Sequence, residues 1–550
     1  MKKIKVLYVG ENTFAKSGFG KYSLEVLTRL AKNPNLKLAH LAGFSSIEDN
    51  NFDQIKGWLH YPVSVKENHP HFQQFQANPK NNWGYWRFER CLLDFKPDFV
   101  FTISDPWNHD FILQSPLRKF FHYAHMPTVD SWPQQTPWIE NFRDCDSIFT
   151  YSDWCHQHLR EAANGEINLK CSTYPGVDLN IFKPLDKKQL RTKFGIPQDA
   201  FIIGMVCRNQ RRKLLAELFK MFRVYLDKYG NTDIGKRTYL YLHTSYPEPQ
   251  GVGWDLPALL NEFGIGNRVY FTYYCRQSQQ PFVSHFEGAR TYSLFSNQMT
   301  GFCPNVGSGL TEEQLTEIHN LFDIYIQYAN CEGSGMPQLE AAACGTPIAA
   351  VNYSAMADVI EKTQGIALEP ASIPRDVDLG ADRAVPDNKF TADALFKHLS
   401  LPNEYKEKKR KQSRQAAESY FNWDRTAKIW ADHFESTQLT GLQGKWDAPI
   451  QIFNDQIPEP PPNMSNAQFI QFCAMMVTKE PDLCVKHFGL EWLNKLNSGF
   501  HPNPQEERKI VYEQFKVLGM NKIGWEKARV GMIPLNQEDW IEFAHILEGN

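Results

Sequence analysis

The residues of this 550-residue chain best placed to do chemistry lie in 331–347, CEGSGMPQLEAAACGTP. Glu332 and Glu340 stand there with seven residues between them, and Gly333-Ser334-Gly335-Met336-Pro337 fills the first part of the gap. Proline in a first helical turn loses no hydrogen bond and glycine suits a helix end, so Pro337 and Gly345 bracket a helix. Upstream, residues 322–327 are short, β-branched and aromatic, the pattern of a buried strand. Strand, glycine loop and helix in that order leave backbone N–H groups open at a positive helix end, a seat for an anion and most often a phosphate. A carboxylate inside such a loop would be repelled by the phosphate. Glu332 and Glu340 are better used to accept hydrogen bonds from sugar hydroxyls on either side of a diphosphate. The same residues also fit a plain helix-capping loop with one solvated and one core glutamate, since glycine motifs recur by chance.

A second chemically loaded stretch follows the apolar strand 201–206. Cys207-Arg208-Asn209-Gln210-Arg211-Arg212-Lys213 gathers four cations at a strand end. Crowded like charges are costly without an anion to share, although a solvated basic turn is the alternative. Gly18 and Gly20, in Ser17-Gly18-Phe19-Gly20, fall at a strand-to-helix turn, where open α/β sheets bind ligands. No third glycine completes a dinucleotide fingerprint, and a simple tight turn is the other reading. His125 sits at the carboxyl end of a strand expected over 119–123 and its continuation, just before Met126-Pro127, so it should project outwards while His122 is buried. His60, His69 and His71 have no ligand-like spacing. Cys275 and Cys303 flank an unusual loop and could pair or bind a metal, but no second Cys-x-x-Cys cluster is present and no metal site is expected.

These groups must be positioned by alternating strands and helices. Strand signals at 4–9, 38–44, 98–103 and 147–151, then at 201–206, 238–244, 268–272 and 322–327, predict two doubly wound α/β domains. Turn residues and prolines over 174–184 place a boundary near 185. The expected organisation is an N-terminal domain over 1–184, a second over 185–437 and an accessory region over 438–550. Residues 276–310, rich in Gln, Ser and aromatics, read as an irregular insertion suited to recognising an acceptor. Residues 49–85 read as a long polar stretch, the proline run at 458–462 as a stiff linker, and 466–550 as short helices. The charged run 406–414 reads as a solvated helix face. Net charge −3 exerts no global pull on nucleic acid or anionic membrane. Without an apolar leader or any run near ~18 apolar residues, a cytoplasmic protein is expected. Its 11 scattered cysteines are expected to be reduced.

EGSGMPQLEAAACGTPIAA resembles the donor-site signature of the retaining GT-B glycosyltransferases of the "group 1" type, relatives of sucrose and glycogen synthases. The likeness extends roughly over 4–435, strongly in the second domain and loosely in the first, through Tyr-Ser-Asp-Trp at 151–154, the linker Gly176-Val177-Asp178 to Phe182-Lys183-Pro184 and the closing Phe421-Asn422-Trp423-Asp424. It implies two Rossmann-like domains facing a cleft, with a helical C-terminal extension. It also implies transfer from a nucleotide-diphosphate sugar, a UDP-sugar before others, to a hydroxyl acceptor. That acceptor is a glycan, or a hydroxymethylated DNA base as in phage enzymes. No cofactor is implied. In such enzymes the first Glu, here Glu332, contacts the transferred sugar and the second, Glu340, holds the ribose. The amides of Gly333, Ser334, Gly335, Met336 and Pro337's neighbours meet sugar and diphosphate. An Arg and a Lys five residues on, here Arg208 and Lys213, bind the diphosphate; a His near the position of His125 touches the sugar; and the loop of Gly18 and Gly20 lies near phosphate and acceptor. Cys207 and Leu214 stand where the family commonly has glycines. The same scaffold also serves sugar-nucleotide epimerases and hydrolases, and a binding module without catalysis would keep the same fold.

Overall fold

The computed structural model describes residues 3–46, 49, 57–69, 72–115, 117–249, 253–293, 296–305, 307–439, 442, 446, 463–477 and 481–520. The proline run at 458–462, His71 and residues 521–550 lie outside these.

Two sheets organise the chain. The first comprises β1 (Ile4–Glu11), β2 (Leu36–Ser46), β3 (Trp58–Ser64), β4 (Phe99–Ser104), β5 (His122–Pro127), β6 (Ser147–Thr150) and β7 (Leu169–Ser172), in the order β3-β2-β1-β4-β5-β6-β7. Its β1–β2, β2–β3, β1–β4 and β6–β7 pairs are parallel. Strand β3 falls inside the stretch read as long and polar; its Tyr61 and Val63 are buried beside β2. The strand expected over 119–123 instead begins at His122, because Arg118–Phe120 forms a 3₁₀ turn. Strand β5 is buried on both faces from Tyr123 to Pro127, as a central parallel strand is, so His125 is buried, at 4% exposure, while His122 at its start is half-buried.

The second sheet comprises β8 (Phe201–Val206), β9 (Thr238–His243), β10 (Val269–Cys275), β11 (Gln280–His285), β12 (Arg290–Ser293), β13 (Ser296–Phe302), β14 (Ile324–Gln327), β15 (Ile348–Val351) and β16 (Ile366–Leu368). The order is β12-β13-β10-β9-β8-β14-β15-β16, with β11 also paired to β10. From β10 to β16 the pairing is parallel, as expected of strands whose residues are apolar on both faces. Chain order reverses between β8 and β14, the switch point at which such sheets bind ligands beyond their carboxyl ends. Gly204 in β8 is required there, since a Cβ would lie 2.2 Å from the Phe322 ring. The segment 276–310 is not irregular throughout: β11 and β13 both pair antiparallel with β10, and β12 with β13. Alternating polar and aromatic residues there extend a sheet edge, with Tyr273 and Phe282 stacked 5.7 Å apart.

The first sheet ends at Ser172 and the second begins at Phe201, on either side of residue 185. By packing, the chain divides into a unit of 1–15, 30–125 and 433–550 and a unit of 16–29 and 126–432. In the first, Phe434 packs on Phe99 and Phe101, and the helices Asn466–Val477, Leu490–Ser498 and Pro504–Met520 enclose Phe469, Ile470, Cys473, Val511 and Phe515. In the second, Trp430 lies on Phe149 and donates its indole N–H to the Tyr22 hydroxyl at 3.0 Å. All 11 cysteines, Cys275 and Cys303 among them, are free thiols. Among the described residues no helix is long and apolar enough to cross a membrane.

Candidate functional site

The second unit carries the chemically loaded residues on the two loops that flank its switch point. After β14, Gly335 adopts φ 69° and opens the helix Met336–Ala343, and no side chain caps that helix. Pro337 has no N–H and Gln338 donates its own to the Gly335 carbonyl at 3.1 Å, so of the first turn the Met336 N–H is left for another acceptor. Gln338 donates to the Ser334 carbonyl at 2.9 Å and fixes the loop. Gly345, at φ 71°, ends the helix by donating to the Ala342 carbonyl at 2.9 Å. A Cβ on Gly333 would come 2.7 Å from the Thr128 methyl, so that position also requires glycine. Met336 reaches the second predicted loop, its sulfur 3.8 Å from where a Gly18 Cβ would be. There Ser17 Oγ accepts from the Gly20 N–H at 3.0 Å and caps the helix Gly18–Leu30.

Glu332 is the electrostatic centre. It is 3% exposed. Its Oε1 accepts from Gln327 Nε2 at 2.6 Å and from Lys213 Nζ, and its Oε2 accepts from Arg212 Nη1 at 2.6 Å. Ser354 Oγ accepts from its backbone N–H at 2.9 Å. Burial alone would raise the carboxyl pKa, but Arg212 and Lys213 outweigh it and hold Glu332 at about 2. Lys213, also buried, is driven below its ordinary value by desolvation and by Arg212, against the pull of Glu332. Two cations thus share one carboxylate, leaving one net positive charge beside an uncapped helix N-terminus. The arrangement can hold an anion whose charge exceeds what Glu332 supplies.

The remaining predicted residues divide. Arg208 does not join that cluster: its guanidinium pairs at 2.7 Å with Glu248, a buried carboxylate that also accepts from Ser245 Oγ at 2.5 Å. It stays about one-third exposed and so is oriented but accessible. Glu340 meets the fully buried His319 ring at 3.3 Å. His125, in the first unit, bonds Thr102 Oγ1 at 2.6 Å, and burial lowers its pKa to about 3, so it is a neutral imidazole. Leu214 occupies left-handed backbone at φ 42°, which explains why a glycine would suit that position. Sequence reasoning did not single out Arg212, Gln327 or Glu248. Arg212 stood in the cationic run, whereas Gln327 carried no signal beyond its nearness to the loop. Among the described residues no cluster of three or more His, Cys, Asp or Glu could hold a metal ion.

Both sheets and the site-bearing loops follow the GT-B pattern of two Rossmann-like sheets, and solved structures agree. Sucrose-phosphate synthase from Thermosynechococcus elongatus superposes with TM-score 0.57 at 16% identity, over 79% of this chain and 100% of that one. An Anabaena HepE structure in complex with UDP and glucose gives 0.52 at 12% identity, with the same coverage. Within that fold, residues 305–389 match the family model described as Glycosyl transferases group 1, so the chain carries a group 1 glycosyltransferase domain there. The D-inositol 3-phosphate glycosyltransferase 1 of Catenulispora acidiphila is 25% identical over 180 residues, 32% of this chain and 34% of that protein. The chain spans between 30% and 48% of the length of the curated relatives it matches.

Proposed function

We propose that the protein transfers a sugar, with retention of anomeric configuration, from a nucleotide-diphosphate sugar to a hydroxyl acceptor, a UDP-sugar being the first donor to test. The observation that carries this reading is Glu332, shared by buried Lys213 and Arg212, on the loop that opens the uncapped helix Met336–Ala343. Lys213, Arg208 and the N–H of Met336 at the helix start would hold the diphosphate and stabilise charge building on the leaving group. Glu332 would accept hydrogen bonds from the donor sugar, and Glu340 from the ribose. At about 2 its pKa keeps Glu332 ionised, so it is no general acid, and its three donors leave it a poor nucleophile. Front-face attack fits these constraints: the acceptor oxygen bonds to the anomeric carbon as the bond to the diphosphate oxygen breaks, and that oxygen takes the acceptor's proton.

The test is release of nucleoside diphosphate from UDP-, GDP- and ADP-sugars, with products read by NMR. Release from one donor with an α-linked product from an α-linked donor, and at least ~100-fold loss in Lys213→Ala, supports the assignment. Release of free sugar alone, or of an epimer, replaces it with a hydrolase or epimerase.

A further inference from the structure

The first sheet has a switch point of its own. Chain order reverses between β1 and β4, and at the carboxyl ends of these strands and of β2 stand Asn12-Thr13-Phe14 just after β1, Phe44 within the last residues of β2, and Ser104 closing β4 before Asp105-Pro106-Trp107. None of these residues enters the donor site described above.

Phe44 stands out among them. It is 45% exposed, and its backbone is left-handed at φ 60°, a conformation that aromatic residues rarely adopt. It lies in a bulge: Ala42 of β2 pairs with Pro62 of β3 and Ser46 with Ser64, so four steps along β2 match two along β3. Bulges beside sites re-aim a side chain. Here the bulge turns the Phe44 ring edge-on to Trp83, with centroids 4.9 Å apart, and Trp83 in turn stands edge-on to His109 at 5.4 Å. Gly43 allows this close approach, since a Cβ would lie 3.1 Å from the carbonyl oxygens of Asn82 and Gly10. An exposed ring held at a backbone cost contributes nothing to a core, so strain and exposure together point to a ligand.

Charge selects the class of ligand. Residues 11–15, 43–46 and 104–110 contain no lysine or arginine. Lys80, three residues before Trp83, is paired with Asp110 at 2.7 Å. Burial and the neighbouring His125 lower the His109 pKa to about 3, so it too is neutral. Aromatic faces with amide and carboxyl neighbours (Asn12, Asp105, Asn108) suit a ligand with an apolar C–H face and many hydroxyls. They do not suit a phosphate.

We propose that Phe44 and Trp83 form a stacking platform for a neutral oligosaccharide, the acceptor of the transfer. As an acceptor site this rests on the proposed function; as a saccharide site it stands alone.

The experiment titrates maltotriose, cellotriose, xylotriose and mannotriose, with inositol 1-phosphate as the anionic comparison, into the full chain and follows tryptophan fluorescence. UDP binding is measured separately by calorimetry. At least one trisaccharide should bind. Phe44→Gly should weaken it about tenfold or more while thermal stability holds or rises, because glycine accepts φ 60° freely. Trp83→Ala should weaken it likewise, with UDP affinity unchanged in both variants. Failure of all four trisaccharides, binding of inositol 1-phosphate in their place, or wild-type affinity in Phe44→Gly overturns the platform. Trisaccharide binding without any nucleotide binding would keep the platform and remove the transferase reading.

Discussion

Replacing Glu332 by glutamine keeps the shape of the side chain and removes the charge that Lys213 and Arg212 share. Glu332 titrates at about 2 in place of 4.5, and at about 1.4 kcal/mol per tenfold that difference is worth about 3 kcal/mol. Because the folded-state value is depressed, this stability is fully present above pH 4.5 and is lost as pH falls through about 2. The same size follows from leaving a buried charge without its partner, about 3–5 kcal/mol. Glu332→Gln should therefore lower the unfolding midpoint at pH 7.5 by about 4–5 °C in differential scanning calorimetry. The deficit should stay constant down to about pH 5. Adding Lys213→Met removes the stranded cation, so the double variant should recover about 1–3 kcal/mol relative to the sum of the single changes. A Glu332→Gln protein within about 1 °C of wild type, or strict additivity with Lys213→Met, would refute the shared-carboxylate reasoning.

Freed of Glu332, the two cations should also favour an anion, so Glu332→Gln should bind UDP several-fold more tightly while turnover falls; calorimetry beside a turnover assay checks both. Burial lowers His109 and His125 to about 3, below the ordinary 6.5. The unfolded chain then binds more protons between those values, and the thermal midpoint should fall as pH drops below 6.5, less steeply in His109→Asn. Gly204→Ala should cost about 1–3 kcal/mol by overpacking against Phe322, and Phe322→Ala should cost less in that background than in wild type, as urea titrations would show.

The donor loop was legible because proline and glycine punctuate it: Pro337 and Gly345 mark the helix ends, and Gly335 takes the φ that glycine allows. What glycine spacing cannot show is which distant groups the loop meets. Arg208 and Lys213 were paired by their spacing, yet Lys213 and Arg212 meet Glu332 about 120 residues away, while Arg208 turns to Glu248. The short 3₁₀ turn Arg211–Lys213 decides this, bringing Arg212 and Lys213 onto one carboxylate. His125 proved buried because β5 lies between β4 and β6 with both faces covered, so alternation along it no longer separates inside from outside. Strands β11 to β13 escaped notice since their Gln, Ser and Gly residues give weak strand signals; pairing to β10 supplies what propensity lacks. Phe44 was invisible as a special residue, because left-handed backbone at a phenylalanine has no sequence signature.

The most direct test of the nucleotide-sugar site is calorimetric titration of the full chain with UDP, GDP and ADP, repeated on Arg208→Ala. Near 100 times the dissociation constant, a bound nucleotide should also add about 2.7 kcal/mol of stability. One nucleotide should bind and raise the unfolding midpoint, and both effects should disappear in Arg208→Ala. Absence of binding by all three, or binding indifferent to Arg208, would contradict a diphosphate site at the β8–β14 switch point.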